Sequence, residues 1–412
     1  MNMTEQRKTA EYIISESIKA VLPETAVKTA MEKLPPVEGH IYLAAIGKAA
    51  WNMASAAAAC LGDRLYEGIV ITKYGHSKGI IPQTRIFEAG HPVPDTNTYA
   101  ATKEVLLMMQ HLTEKDLVLF LVSGGGSALF ESPAINPDEL ETITKELLSC
   151  GASIQEINTI RKHLSKVKGG RFARHCAPAK VFAVVLSDVI GNPLDVIASG
   201  PAYPDESTSE QALSIAGKYK LTISEAAKKA FADETPKFLD NVTTEITGSV
   251  SQLVQAAAEA AGQKGYSSLI LADTVDCEAC EAGKMAASIA RFYAADSKKT
   301  AVIFGGETVV HLKGKGLGGR NQELAVAAAE GISGLKNASV FSIGSDGTDG
   351  PTDAAGGYVD GSTKDKLLKK GISIYKVLSE NDAYHALKAC DGLIKTGPTG
   401  TNVNDVTVIL IN

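Results

Sequence analysis

Eight short apolar runs recur along the chain, with segments of helical composition between them, and this rhythm narrows the fold more than any other feature. The runs are HIYLAAIG (40–47), EGIVITK (67–73), DLVLFLVS (116–123), KVFAVVLSD (180–188), SSLILAD (267–273), TAVIFGGE (300–307), ASVFSIGSD (338–346) and VTVILIN (406–412). Most show little polar alternation, so they fit strands covered on both faces, as in a parallel sheet. Between them stand stretches such as TAEYIISESIKAVL, SEAAKKAFADE and VSQLVQAAAEAAG. Strand and helix alternating in this way predict a doubly wound α/β protein. The length of 412 residues suggests two or three domains. The polar stretch FADETPKFLDNVTTEITGS, around 231–249, has no strong period and is read as a boundary. The expectation is two α/β domains, 1–235 and 240–412, meeting across a cleft.

Composition excludes several classes. Hydrophobic residues make up 44% and charged residues 21%, a soluble globular balance. A net charge of −6 argues against a general nucleic-acid binder. No apolar segment reaches the ~18 residues of a membrane span, and the polar N-terminus lacks the apolar stretch of a secretory signal. A cytoplasmic protein with no membrane partner is expected. Among the six cysteines, Cys277 and Cys280 form one CxxC with no second pair or histidine cluster, and are read as helix-packing residues.

In open α/β sheets, ligands bind at the carboxyl ends of the strands. Five such ends carry dense glycine, serine and aspartate. The first has Gly47 and Lys48; the third has SGGGSA, comprising Ser123, Gly124, Gly125, Gly126, Ser127 and Ala128. This string is neither a Walker loop, which needs GxxxxGK[ST], nor a nucleophile elbow, which needs GxSxG. It is read as an anion cradle of bare backbone N–H groups with two hydroxyls beside them. Gly314 to Gly319 match GxGxxG before a helical segment, the context of a dinucleotide fingerprint. Against that reading, no acidic residue ends a strand at the expected ~20 residues further on, and Lys313, Lys315 and Arg320 bring more positive charge than a backbone-held diphosphate needs. The loop GSDGTDGPTDAAGG places Asp346, Asp349 and Asp353 where spaced carboxylates could hold a hard cation, or simply serve as turn and helix caps.

Together these blocks resemble one family. AIGKAAWNMA, EAGHPVPDTNTYAAT, LFLVSGGGSALFESP, INTIRKHLSKVKGGRFA, VLSDVIGNPLDVIASGPAYPD, GGETVVHLKGKGLGGRNQELA, SIGSDGTDGPTDAAGGYVD and TGPTGTNVNDV look like the glycerate 2-kinases of the MOFRL type, often labelled hydroxypyruvate reductases. The resemblance runs over nearly the whole chain. It implies a Rossmann-like glycerate kinase domain, a different α/β MOFRL-type domain, and an active site in the cleft between them. It also implies ATP-dependent phosphorylation of D-glycerate on its 2-hydroxyl, with Mg²⁺ or another divalent cation. The family's catalytic lysine and arginine match Lys48 and Arg320. Lys168, Ser199, Gly200, Glu307, Asn321 and the SGGGSA backbone are candidate contacts, not divided between glycerate and nucleotide. Asp188 is expected to touch the metal or to accept the hydroxyl proton, with a structural role as the alternative. His91 is read as a turn residue. The runner-up is a nicotinamide-dependent hydroxypyruvate reductase resting on GxGxxG; a third reading is an acid-binding regulator. The sequence leaves room for a homodimer.

Overall fold

The computed structural model describes residues 5–295 and 298–412. The chain divides into two compact units, one of Ala26–Ser187 and Asn192–Thr247, the other of Met1–Thr25, Asp188–Gly191 and Gly248–Asn412. The observed division departs from the expected one at 235–240 in three respects, the first being that Asp188–Gly191 groups with the second unit. The segment 242–247 forms the last strand of the first sheet, and the N-terminal helix Glu5–Ala20 packs on the helix Val250–Gln263. That helix is pinned where Gln6 donates to the Asn337 carbonyl at 2.8 Å and Arg7 to the Leu393 carbonyl at 2.9 Å.

The first unit holds β1 (Ile41–Ile46), β2 (Leu65–Lys73), β3 (Thr84–Ala89), β4 (Leu117–Val122), β5 (Lys180–Leu186) and β6 (Val242–Thr247). They pair in the order β3-β2-β1-β4-β5-β6, all parallel. This is the Rossmann order, with its topological switch between β1 and β4. All six residues of β4 are buried, as its unbroken apolar run requires. Register places Ile46 beside both Ile71 and Val122, so β1 and β4 end at one level while β2 runs two residues further, to Lys73.

The second unit holds β7 (Ser267–Val275), β8 (Thr300–Gly306), β9 (Ala338–Gly344), β10 (Gly356–Asp360), β11 (Leu393–Ile394) and β12 (Asp405–Ile411), ordered β11-β10-β9-β12-β8-β7. Here only the β7–β8 pairing is parallel; the pairings β8–β12, β12–β9, β9–β10 and β10–β11 are antiparallel. The apolar runs of β9 and β12 are buried throughout, and that of β8 in all but its first residue. A helix-covered antiparallel sheet buries both faces as a parallel one does, so an apolar run reports burial and not strand direction. The segment 267–271 departs from the pattern, since all five residues lie exposed on the edge strand β7. All six cysteines are free thiols; Cys280 is half-buried on the helix Ala279–Tyr293, but Cys277 is exposed and precedes it, so the helix-packing reading does not hold for Cys277. Among the described residues, no helix is long and apolar enough to cross a membrane.

Candidate active site

At the switch point of the first sheet, the ends of β1 and β4 interlock. Gly47 has φ +112°, and a side-chain carbon there would lie 2.3 Å from Oγ of Ser123. Ser123 accepts from the Ala49 N–H at 3.1 Å and donates to the Ile46 carbonyl at 3.2 Å, while the Lys48 N–H donates to the Gly124 carbonyl at 2.9 Å. Ser123 is thus a buried tie between two loops. The Lys48 side chain is left exposed, with no hydrogen bond or ion pair among the described residues.

The glycine triplet answers to what surrounds it. Gly125 has φ +85°, a conformation that disfavours any side chain, and a carbon built on it would lie 3.0 Å from both Cδ2 and Nε2 of His91 and 3.3 Å from Cγ of Lys48. A carbon on Gly126 would lie 2.8 Å from Cβ of Ala198. Among the described residues the N–H groups of Gly124 and Gly125 donate to no protein acceptor, so two adjacent amides remain for a ligand. Ala198, Ser199 and Gly200 are successive left-handed residues, with φ of 51°, 62° and 63°. Two of these three are not glycine, and strain of that kind collects at functional loops. Ser199 is fully buried, and its Oγ lies 2.9 Å from Oγ of Ser127.

Lys168, expected as a ligand donor, has no exposed surface. Its ammonium donates to the carbonyls of Ser127 at 2.7 Å and Phe130 at 3.0 Å and pairs with Glu131 at 3.2 Å. Burial lowers its pKa against the opposing pull of Glu131. It braces the cradle from behind. Around the cradle's mouth stand three residues that sequence reasoning missed or set aside. Lys73 ends β2, His76 leans Nδ1 on the Lys48 carbonyl at 3.1 Å, and His91 follows β3 by two residues. Burial, then Lys48, Lys73 and His76, push the His91 pKa below its ordinary value. The strand ends of β3, β2, β1 and β4 thereby collect positive charge beside free amides. No spacing in the sequence announces this, because the residues come from separate crossovers.

In the second unit, Arg320 opens the helix Arg320–Gly331. Its Nε donates to Oδ2 of Asp405 at 2.6 Å, Nη2 to Oδ1 of Asp405 at 3.1 Å, and Nη1 to Glu307 at 2.9 Å. Asp405 lies 85 residues from Arg320. It arrives because β12 is antiparallel to β8, setting Asp405 opposite Gly306. Burial pushes the Asp405 carboxyl up to about 6, against the pull of Arg320. Burial would lower the guanidinium, but Asp405 and Glu307 outweigh it and raise it. The asymmetry follows from exposure, 8% for the Asp405 side chain against 32% for Arg320, so the pair opens first by protonation of the carboxylate.

Asp349 caps the same helix. Its Oδ1 accepts from the Asn321 N–H at 3.2 Å and its Oδ2 from the Gln322 N–H at 2.8 Å, and both side-chain amides bond to it as well. This settles the GxGxxG string. The helix N–H groups that would hold a dinucleotide diphosphate are filled by the protein's own carboxylate. The glycines serve packing: a carbon on Gly314 would lie 2.3 Å from Glu380 backbone, and one on Gly316 2.6 Å from the Asp382 Cα. The three loop aspartates do not converge. Asp346 accepts from the Thr348 N–H at 2.9 Å, while Asp353 bonds Tyr384 at 2.8 Å and Lys395 at 2.7 Å. Among the described residues no three of His, Cys, Asp and Glu form a metal-holding group, so the residues present do not by themselves fit a bound divalent cation. Asp188 follows β5 and is half-buried.

A Rossmann-ordered sheet with a cationic cradle at its switch point, joined in one chain to a mixed sheet carrying a clamped arginine, defines a two-unit α/β protein. The chain belongs to the family whose two regions it matches: a domain described as of unknown function (DUF4147) over residues 9–232, and the MOFRL family over residues 300–405. It is 53% identical to the D-glycerate 2-kinase of Thermotoga maritima over 98% of each chain. The crystal structure of glycerate kinase from Thermotoga maritima superposes with a TM-score of 0.95 at 52% identity, covering 99% of both chains. A putative hydroxypyruvate reductase of Agrobacterium vitis is 37% identical over 100% of this chain and 95% of its own.

Proposed function

We propose that this chain is a D-glycerate 2-kinase, transferring the γ-phosphoryl group of ATP to the 2-hydroxyl of D-glycerate to give 2-phosphoglycerate and ADP. The observation that carries the reading is the unpaired Lys48 side chain, whose Cγ lies 3.3 Å from where a Gly125 side-chain carbon would stand, next to the loop that holds the free amides of Gly124 and Gly125. Phosphoryl transfer asks for positioning and for neutralisation of spreading negative charge more than for covalent chemistry. Lys48 and the glycine amides supply such a place, and Arg320, fixed in orientation by Asp405 and Glu307, is the second charge-neutralising group. Asn321 sits beside that arginine on its helix. Asp188 after β5 and Asp346 after β9 are the strand-end carboxylates proposed to approach the nucleotide. The experiment is a pair of incubations, one with D-glycerate, ATP and Mg²⁺, the other with hydroxypyruvate and NADH or NADPH. ADP formation in the first supports the reading; turnover in the second alone overturns it.

Two further results are expected. Gly125→Val should weaken ATP or glycerate binding more than it weakens folding, because a β-branched side chain at positive φ would strike His91 and Lys48. Ligand titration beside thermal unfolding checks this, and unchanged affinity for both ligands would reduce the loop to a turn. The rate should also fall as pH drops through about 6. Above that value Asp405 is ionised and holds Arg320 by two bonds; below it, the protonated carboxyl releases its grip. A kcat/KM profile that stays flat down to about pH 5 would contradict the clamp.

A further inference from the structure

We propose that His91 is a catalytic residue of this reaction, accepting the proton of the glycerate 2-hydroxyl during phosphoryl transfer. The inference rests on the kinase reading and adds to it the identity of the base. Its first support is position. His91 lies two residues beyond β3, and Nε2 lies 3.0 Å from where a Gly125 side-chain carbon would stand. The same point lies 3.3 Å from Cγ of Lys48. Imidazole, lysine and free amides therefore border one small space.

The second support is an unused ring. His76, His163, His175 and His385 each rest a ring nitrogen on a protein acceptor, at 3.1, 3.0, 2.9 and 2.6 Å. The His91 ring makes no hydrogen bond or ion pair among the described residues, although it is half-buried. A half-buried imidazole without a partner carries a desolvation penalty that a ligand or water would relieve. The nearest carboxylate on that loop, Asp95, is already engaged by Thr98 and Tyr74. It does not pair with the ring.

The third support is charge state. Burial, then the positive charge of Lys48, Lys73 and His76, disfavours protonation of the ring. The neutral imidazole is the form that accepts a proton. In the step proposed, the 2-hydroxyl oxygen bonds to the γ-phosphorus as the bond to the β,γ-bridging oxygen breaks. The hydroxyl proton passes to a His91 ring nitrogen, ADP departs with the bridging oxygen, and the imidazolium later loses its proton to solvent. A ring that only held the glycerate carboxylate would act on KM instead of kcat.

The test uses the full chain carrying His91→Gln and, separately, His91→Ala, assayed with D-glycerate and ATP beside wild type. General-base catalysis contributes about 10²–10⁴-fold, so kcat should fall at least about 100-fold while KM for glycerate moves less than about fivefold. Added imidazole should restore His91→Ala in a saturable way, and the melting temperature should be unchanged. A kcat within about threefold of wild type, a loss confined to KM, or an alanine variant indifferent to imidazole would overturn the proposal. Inactive wild-type protein would remove the kinase reading as well; active wild type with an indifferent His91 removes this inference alone.

Discussion

Lys48→Ala is expected to fold as the parent does and to lose about 10³-fold or more in turnover, the lower end of what a charge-stabilising group contributes in related phosphoryl transfers. The fold should not suffer, because what binds this turn together is backbone. The Lys48 N–H on the Gly124 carbonyl and the Ala49 N–H on Ser123 both survive the substitution. The side chain itself is exposed, and removing an unpaired surface lysine changes stability by about 0.5 kcal/mol or less. Steady-state kinase rates beside a thermal melt make the measurement. A folded variant with near-normal turnover would take Lys48 out of the mechanism.

Arg320→Ala should lose turnover on a similar scale, but it should lose stability too. Asp405 is buried, and without the guanidinium it faces the interior uncompensated. Removing one partner of a buried pair costs about 3–5 kcal/mol when the other stays charged. Since the Asp405 carboxyl already sits at about 6, it takes up a proton near neutrality and softens the loss. About 2–3 kcal/mol is expected at neutral pH. The double variant Arg320→Ala/Asp405→Asn should recover most of that stability and none of the turnover. Urea unfolding and kinase rates on the three proteins separate the two roles. Unimpaired stability in Arg320→Ala would deny the clamp, and an active double variant would make Arg320 purely structural.

The sequence disclosed the interior of the fold and hid its margins. Each of the eight apolar runs lies on a strand, and seven are largely buried, as a run with little polar alternation requires; SSLILAD is the exception, exposed on the edge strand β7. The segments that became β3 and β6, TRIFEA and VTTEIT, gave no such signal. They are the two edges of the first sheet, half-exposed and polar, and β6 lay in the stretch read as a boundary. The strands Gly356–Asp360 and Leu393–Ile394 were too short or too glycine-rich to register. Strand direction in the second sheet was equally silent, since burial does not encode it.

At the site, the legible residues were those beside a strong strand signal, such as Lys48 after β1 and SGGGSA after β4. The illegible ones depend on contacts between distant segments. Nothing near Arg320 points to Asp405, and nothing near His91 points to Gly125. The glycine triplet was read as room for an anion; in part it is room for His91 and Ala198. The GxGxxG string shows the converse error, a ligand motif whose glycines fit the chain against its own backbone.

The central claim is transfer to the 2-hydroxyl, and one coupled assay addresses it most directly. D-glycerate and ATP are incubated with the protein, enolase and pyruvate kinase, with phosphoglycerate mutase left out, and pyruvate is followed. The account predicts pyruvate without the mutase, because enolase acts on 2-phosphoglycerate. Pyruvate that appears only when mutase is added would mean transfer to the 3-hydroxyl, and would contradict it.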